Sequence, residues 1–264
     1  MDKILLTAAF VAIGASSASA ADLAARPYTK AAPIVAAAYD WSGFYIGANG
    51  GWASSRKCWD LTEVLDFGVR TPVVPADPEG CHDARGGTAG GQAGYRWQSA
   101  AFVFGLEAQG NWANLTGSSN SLPSAFGDFV RNHTRVDAFG LFTGQIGYAW
   151  NNALLYVKGG AAVVRDKYEG FNTLDGTVFD TARETRWGGV VGVGLEYGFT
   201  PNWSVAVEYD HLFMGSKDVV FLGTGAAVGV APGAYFRTDR IGQDVDMVTA
   251  RVNYRFGGPV VARY

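Results

Sequence analysis

The charged residues that recur within alternating apolar segments are the candidates for chemistry in this chain. They are Arg96, Glu107, Lys158, Glu196, Glu208, Arg251 and Arg255, with Asp137 and Asp210 beside them. On one enclosed face they would form a paired, hydrogen-bonded network, because an unpaired buried charge is costly. The alternative is a pore for small solutes, in which the pairs part transiently.

Catalysis has little support in the sequence. The only histidines are His82, His133 and His211. His211 follows Asp210, but adjacent residues on a strand point to opposite faces. No serine lies in a G-x-S-x-G nucleophile elbow. We therefore predict no catalytic residues and no enzyme.

A cofactor or metal site is an alternative only near the strand ends that carry His133 and His211, which would form the outer rim of the sheet. His133 and His211 leave a haem or metal hypothesis open, but no third ligand is apparent, so solvated rim histidines are favoured. We predict no cofactor and no metal. The formal net charge of −3 also gives no attraction for nucleic acid.

The N-terminus predicts export. Lys3 precedes the stretch "ILLTAAFVAIGASSASA", which closes on small residues before Ala21, as in a secretory signal peptide over residues 1–20. The Ala- and Pro-rich residues 21–40 predict an extended tether. In an oxidising compartment, Cys58 and Cys81 favour a disulfide, since His82 alone is too little for a zinc site.

Residues 41–264 predict one β-domain. Period-two segments lie near 43–52, 87–97, 101–112, 134–149, 154–165, 186–199, 203–212 and 245–256. Tight turns at 98–100, 150–152 and 200–202 alternate with long links at 53–86, 113–133, 166–185 and 213–244. This alternation is typical of an antiparallel up-and-down barrel, with short turns in one compartment and long loops in the other.

The apolar face of these strands is predicted to face lipid. In 187–199, large apolar residues share one parity and Gly188, Gly192, Gly194 and Gly198 share the other, as the crowded interior of a narrow barrel requires. The tryptophans also sort by strand end. Trp41, Trp97, Trp150 and Trp203 lie near the short turns or the chain entry, and Trp52, Trp112 and Trp187 lie beside the long links. Two aromatic belts at the membrane interfaces are the prediction.

Two end motifs carry a family resemblance. "WSGFYIGANGGW" (41–52) and "TARVNYRFGGPVVARY" (249–264) resemble the opacity-protein-like, outer-membrane immunogenic (porin-like) β-barrels of Gram-negative bacteria. The resemblance implies an eight-stranded outer-membrane barrel, a periplasmic tether and external loops. It also implies recognition by the barrel-assembly machinery through the C-terminal aromatics Tyr254, Phe256 and Tyr264, where either Phe256 or Tyr264 is the closing residue.

The function predicted from these features is structural: support of the envelope and presentation of surface loops. The alternatives are a narrow small-solute porin and a loop-mediated adhesin or ligand-binding protein. The predicted partners are outer-membrane lipid and lipopolysaccharide. The stretch 219–236, "VVFLGTGAAVGVAPGAYF", favours a hairpin that continues the flanking strands, and alternatively an exposed patch in loop 213–244 that contacts a host surface or a neighbouring barrel.

Overall fold

The protein is a closed barrel of eight antiparallel strands. The structure is a computed structural model and describes residues 39–121, 129–227 and 230–257. The strands are β1 Gly43–Asp66, β2 Val69–Ser99, β3 Phe102–Asn120, β4 Val130–Trp150, β5 Ala153–Asn172, β6 Val178–Thr200, β7 Trp203–Gly223 and β8 Tyr235–Arg255. Each strand pairs with its neighbours along the chain, and β1 pairs with β8. The predicted architecture is confirmed.

The N-terminal predictions lie largely outside this part of the chain. The signal peptide 1–20 and the tether 21–40, apart from Tyr39 and Asp40, are not among the described residues. Within the described ranges, no helix is long and apolar enough to cross a membrane.

The predicted long loops are mostly strand, so their boundaries were wrong. The strands contain 19 to 31 residues, whereas roughly 10 residues of a tilted strand cross a bilayer. Segment 53–86 is a continuous hairpin that turns at Phe67 and Gly68, both with positive φ. At the two ends of stretch 219–236, β7 continues to Gly223 and β8 begins at Tyr235, and Phe221 lies opposite Arg237, so the flanking strands extend as the favoured interpretation predicted. Beyond the membrane the outer face meets water, so the apolar alternation that marks a strand is lost.

The two faces of the wall differ as predicted. In β6, Trp187, Val191 and Leu195 are exposed on the outside, and glycines alternate with them inside. Gly194 is required by close approach, because an added Cβ would strike the ring of Tyr156. The outer wall therefore offers lipid a continuous apolar surface, and the lumen is filled by side chains from facing strands.

The two aromatic belts contain six of the seven predicted tryptophans. Trp97, Trp150 and Trp203 are exposed near the short turns, and Trp52, Trp112 and Trp187 are exposed farther along the strands. Trp41 was wrongly placed in a belt: it is only 2% exposed. Because it precedes β1, strand parity does not govern it, and its ring packs on Tyr39 inside the barrel mouth at a centroid distance of 4.4 Å. Below, "crown" denotes the wall beyond Trp52, Trp112 and Trp187.

Candidate functional site: the filled lumen

A network of buried charges crosses the lumen between the belts. Lys158 Nζ on β5 lies 2.6 Å from Glu208, 3.1 Å from Asp210 and 3.8 Å from Glu107. Arg251 on β8 bridges Glu107 on β3 and Glu208 on β7. All five side chains are fully buried. Inward strand parity brings these predicted residues together from four separate strands.

Tyrosines and amides complete this network. The phenols of Tyr45 and Tyr156 each donate at 2.6 Å, to Glu107 and Glu208 respectively. Inward Tyr156 and Lys158 also settle the direction of β5, whose two faces are hard to distinguish by sequence. A cluster of hydrogen-bonded side-chain amides lies beside the charges and consists of Asn49, Gln92, Gln109, Asn111 and Asn253. Glu107, Glu208, Lys158 and Arg251 thus have hydrogen-bond partners that replace water, and Asp210 has the ammonium of Lys158 at 3.1 Å.

The mouth on the short-turn side is closed by a separate cluster. Arg96 donates to Glu196 at 2.8 Å, and its guanidinium lies over the rings of Tyr45 and Trp41 at 4.4 and 5.8 Å. Arg255 donates to the carbonyls of Ser42 and Pro201 at 3.0 and 2.9 Å, tying the entering chain to the barrel end. The cavity left at this mouth is about 10 Å³, room for about one water.

An apolar layer follows the charged network on the crown side. It consists of Ala53, Ala84, Leu115, Val136, Phe139, Leu141, Ala162, Val164, Val190, Leu212, Met214, Val245 and Met247. Sequence reasoning missed this layer. Its signal was available, because Leu141 and Leu212 share the inward parity of Gln145 and Asp210. A dry side-chain layer of this kind resists water and ions.

Asp137 marks where inward parity fails on β4. Pairing shifts between Val136 and Ala138, and this bulge turns Asp137 outward, where its carboxylate forms an ion pair with Arg135 at 2.8 Å. Both side chains are exposed. The predicted lumen position of Asp137 was therefore wrong, since one extra residue reverses the faces of a strand.

Two further buried groups fill the crown. Lys57 Nζ contacts Asp166 at 2.8 Å, and burial lowers the pKa of this ammonium to about 8 although Asp166 opposes the shift. Farther out, Arg237 contacts Glu79, Asp180 and Asp239 at 2.9, 2.7 and 3.2 Å. An apolar cluster lies between them: Trp59, Tyr168, Ala182, Val219, Phe221 and Ile241. The filled interior thus extends well beyond the membrane.

Backbone pairing between β6 and β7 is interrupted in the crown. The register passes from Thr181↔Leu222 to Gly189↔Phe213. Arg186 supplies hydrogen bonds near this interruption, because its guanidinium donates to the carbonyls of Gly215 and Ile241 at 3.4 and 3.0 Å. Arg186 is a further residue that sequence reasoning missed.

His133 and His211, the two candidates for a rim ligand site, lie on strands that are not neighbours. His133 lies on β4 opposite Glu169 of β5, and His211 lies on β7, where Nδ1 is 2.8 Å from Asp246 on the outer wall. His82 lies in the crown with its ring nitrogens 3.0 Å from the hydroxyls of Ser119 and Thr134. Burial lowers the pKa of His82 to about 4, and nearby Lys57 adds to that effect. Within the described ranges, no group of three or more His, Cys, Asp or Glu residues could hold a metal.

The remaining predicted residues lie on the outer wall. Cys58 and Cys81 are joined as a disulfide between directly opposed positions of β1 and β2. Tyr254 and Phe256 contact each other with ring centroids 5.0 Å apart, and Phe256 lies 5.6 Å from Phe44. Tyr264 is outside the described residues, and the assembly signal stays a prediction.

Comparison with known proteins identifies the group to which this barrel belongs. Residues 6–256 match the family described as "Outer membrane protein beta-barrel domain". The chain belongs to this family. It is 29% identical to the 31 kDa outer-membrane immunogenic protein of Brucella melitensis, over 83% of this chain and 90% of that protein. It is 28% identical to the 22 kDa outer membrane protein of Rhizobium leguminosarum bv. viciae, over 67% and 66%.

Similar solved structures include an attachment invasion locus protein and an outer membrane protein. The attachment invasion locus protein Ail of Yersinia pestis has a TM-score of 0.37 and 14% identity, covering 81% of this chain and 99% of that one. OprG of Pseudomonas aeruginosa has a TM-score of 0.40 and 12% identity, covering 82% and 97%. The family assignment and the named relatives place this protein in the outer membrane of a Gram-negative cell.

Proposed function

We propose that the protein is a closed, non-conducting barrel that supports the outer membrane and carries a rigid crown at the cell surface. The observation that supports this is the series of buried layers along the lumen. The Arg96–Glu196 mouth, the Lys158–Arg251 network, the apolar layer and the Arg237 cluster follow one another. A solute would have to displace every layer in turn.

The apolar layer makes this closure robust to loss of the ion pairs. If Glu208 and Arg251 part, an ion still meets Leu115, Leu141 and Leu212, which offer it no polar partner. The two seals lie in series, so the tighter one sets the conductance. A pore through this lumen needs both to open.

The test is the conductance of the predicted mature chain, residues 21–264, in a planar bilayer. We expect silence from the wild type and from Glu208→Ala/Arg251→Ala, which removes one charge of each sign. The matched control is Asp218→Ala/Arg240→Ala, an exposed crown pair whose charged atoms lie 2.8 Å apart. Regular steps from the wild type that enlarge in the lumen variant and not in the control would overturn the proposal in favour of a narrow porin.

A second candidate function is ligand binding at the crown, the adhesin-like alternative. It is favoured by a cavity of about 380 Å³ near the crown tip, lined by Phe129, Phe179 and Phe236 among others. An open aromatic cavity suits an apolar ligand. Deletion of 220–234 would remove the buried Phe221, so a short turn replacing 225–232 is the better variant. Unchanged surface binding by that variant would refute this role.

We propose in addition that the protein is not an enzyme. Asp246 accepts from Tyr209 at 2.6 Å and pairs with His211 on the outer wall, an arrangement that explains both side chains without a reaction. Incubation with phospholipid, lipopolysaccharide and peptide panels should give no product. Turnover that His211→Asn abolishes would overturn this proposal.

A further inference from the structure

Three cations form one row across the outer wall of the crown. Arg135 of β4 lies opposite Lys167 of β5, and Lys167 lies opposite Arg183 of β6. Arg165 lies two residues nearer the membrane on β5, on the same outward face. Directly opposed residues have Cβ atoms about 5 Å apart. We call these four residues the basic patch.

The basic patch has more charge than its neighbours neutralise. Arg135 forms an ion pair with Asp137 at 2.8 Å, and Lys167 contacts Glu169 at 2.6 Å. Arg165 and Arg183 have no hydrogen bond or ion pair with any residue in the described ranges. Like charges opposed across strands are destabilising. An anion placed among these four cations would remove that cost.

The height of the basic patch selects the anion. Val163 pairs with Trp187 of the outer belt, so Arg165 is two residues beyond the belt and Lys167 four. These steps are about 7 and 13 Å along the strand, or roughly 5 and 10 Å along the membrane normal for a tilted strand. Lipid headgroups occupy about 5–8 Å beyond the hydrocarbon on each side. The basic patch therefore starts at headgroup level and rises above it.

The opposite wall lacks this excess at the same height. There Arg56 lies opposite both Asp83 and Asp244, and Arg85 contacts Asp83 at 2.7 Å. Cations and carboxylates alternate across these strands, so a bound anion would meet repulsion as well as attraction. Only one side of the described wall thus presents a row of unbroken positive charge.

We propose that the basic patch binds the phosphate groups of a phosphorylated glycolipid of the outer leaflet. Arg165 and Arg183 supply guanidinium forks, which match phosphate oxygens in a bidentate way. The acyl chains would lie on the apolar wall below, beside Trp187 and Val163. The inference rests on the proposed envelope-supporting function and names the lipid contact through which the barrel would exert it.

The experiment is native mass spectrometry of residues 21–264, refolded in detergent and titrated with diphosphoryl lipid A. Arg165→Gln/Arg183→Gln removes the two unpaired cations. Each cation near an anionic surface contributes about one kcal/mol to binding. We therefore expect the apparent Kd of this variant to be about 30-fold higher than that of the wild type. The matched control, Arg56→Gln/Arg85→Gln, removes two paired cations at the same height and should bind like the wild type. Arg165→Lys/Arg183→Lys keeps both charges but loses the guanidinium forks, so its affinity should lie between those of the wild type and of Arg165→Gln/Arg183→Gln. Heat-modifiable gel mobility verifies that each variant folds.

Four results would overturn the inference. They are an equal loss in the control, undiminished binding of lipid A stripped of its phosphates, inorganic phosphate binding as tightly as lipid A, and patch-dependent binding of heparin without patch-dependent binding of lipid A. The third would assign the site to a free anion, and the fourth to a soluble polyanion. None of them affects the conductance test, so failure here leaves the closed-barrel proposal separately testable.

Discussion

Removal of Arg251 should destabilise the barrel more than removal of an exposed arginine, because it leaves buried charge unpaired. Arg251 bridges Glu107 and Glu208, and all three side chains are fully buried. In Arg251→Ala, only Lys158 remains to balance Glu107, Glu208 and Asp210. Loss of one partner from a buried pair costs about 3–5 kcal/mol, so we expect the free energy of unfolding to fall by about 4 kcal/mol.

The double variant should cost less than the sum of the singles. Glu208→Ala leaves Arg251 with Glu107 and Lys158 with Asp210, so about 3 kcal/mol is expected. Glu208→Ala/Arg251→Ala removes both signs together and leaves no new unpaired cation. Residues in one ion-pair network couple by about 0.5–3 kcal/mol. We therefore expect about 4 kcal/mol for the double variant, against about 7 kcal/mol for additive effects.

The assay is urea unfolding in phospholipid vesicles, followed by tryptophan fluorescence and by gel mobility with and without boiling. Arg240→Ala is the control, because its exposed pair with Asp218 should contribute less than about 1 kcal/mol. Strict additivity of the two lumen variants would refute the coupled network. An Arg251→Ala cost as small as that of the control would refute the burial on which the estimate depends.

Three other perturbations address the crown and the lumen packing. Cys58→Ser/Cys81→Ser should destabilise the β1–β2 hairpin by about 3 kcal/mol, from the 23-residue separation of the cysteines, and leave the membrane segment folded; hydrogen exchange resolves the two regions. His82 has a pKa of about 4 in the folded protein and 6.5 as a free side chain, so folding favours its neutral form. Its contribution to crown stability should therefore be fully present above pH 6.5 and fall by up to about 3 kcal/mol as the pH drops towards 4. His82→Gln should remove the part of that pH dependence that His82 contributes, measured as the difference in crown unfolding between variant and wild type across this range. Gly194→Leu should prevent formation of the heat-modifiable folded band, because Tyr156 occupies the space of the new side chain.

Strand parity made the membrane part of the fold predictable, because lipid on one side and a narrow lumen on the other impose a strict two-residue period. Glu208 and Arg251 could be placed inward for this reason. The crown could not be bounded in the same way, since both of its faces carry polar residues. Arg56 and Lys57 are adjacent cations, yet one is exposed to water and the other fully buried against Asp166.

The apolar layer shows a second limit of sequence reasoning. Leu141 and Leu212 have the side chains of lipid-facing residues, so residue type alone does not place them in the lumen; only the parity they share with Gln145 and Asp210 does. The prediction that Asp137 points into the lumen was wrong because the bulge at Val136 and Ala138 turns its side chain outward. The prediction that Trp41 lies in an aromatic belt was wrong because this residue precedes β1, where strand alternation does not determine the direction of a side chain. Bulges and chain entries depend on pairing with distant strands, which a single sequence does not display.

The buried charges are best explained by strand register, which accounts for their position between the belts. A one-residue slip of a strand would turn its inward side chains to lipid. For Lys158 and Arg251 this costs about 2–4 kcal/mol each near the bilayer midplane, so slipped pairings of β5 or β8 are strongly disfavoured. In the crown, where water faces the outer wall, that penalty is absent. There the Cys58–Cys81 disulfide joins two opposed positions of β1 and β2, and so holds the register that lipid cannot enforce.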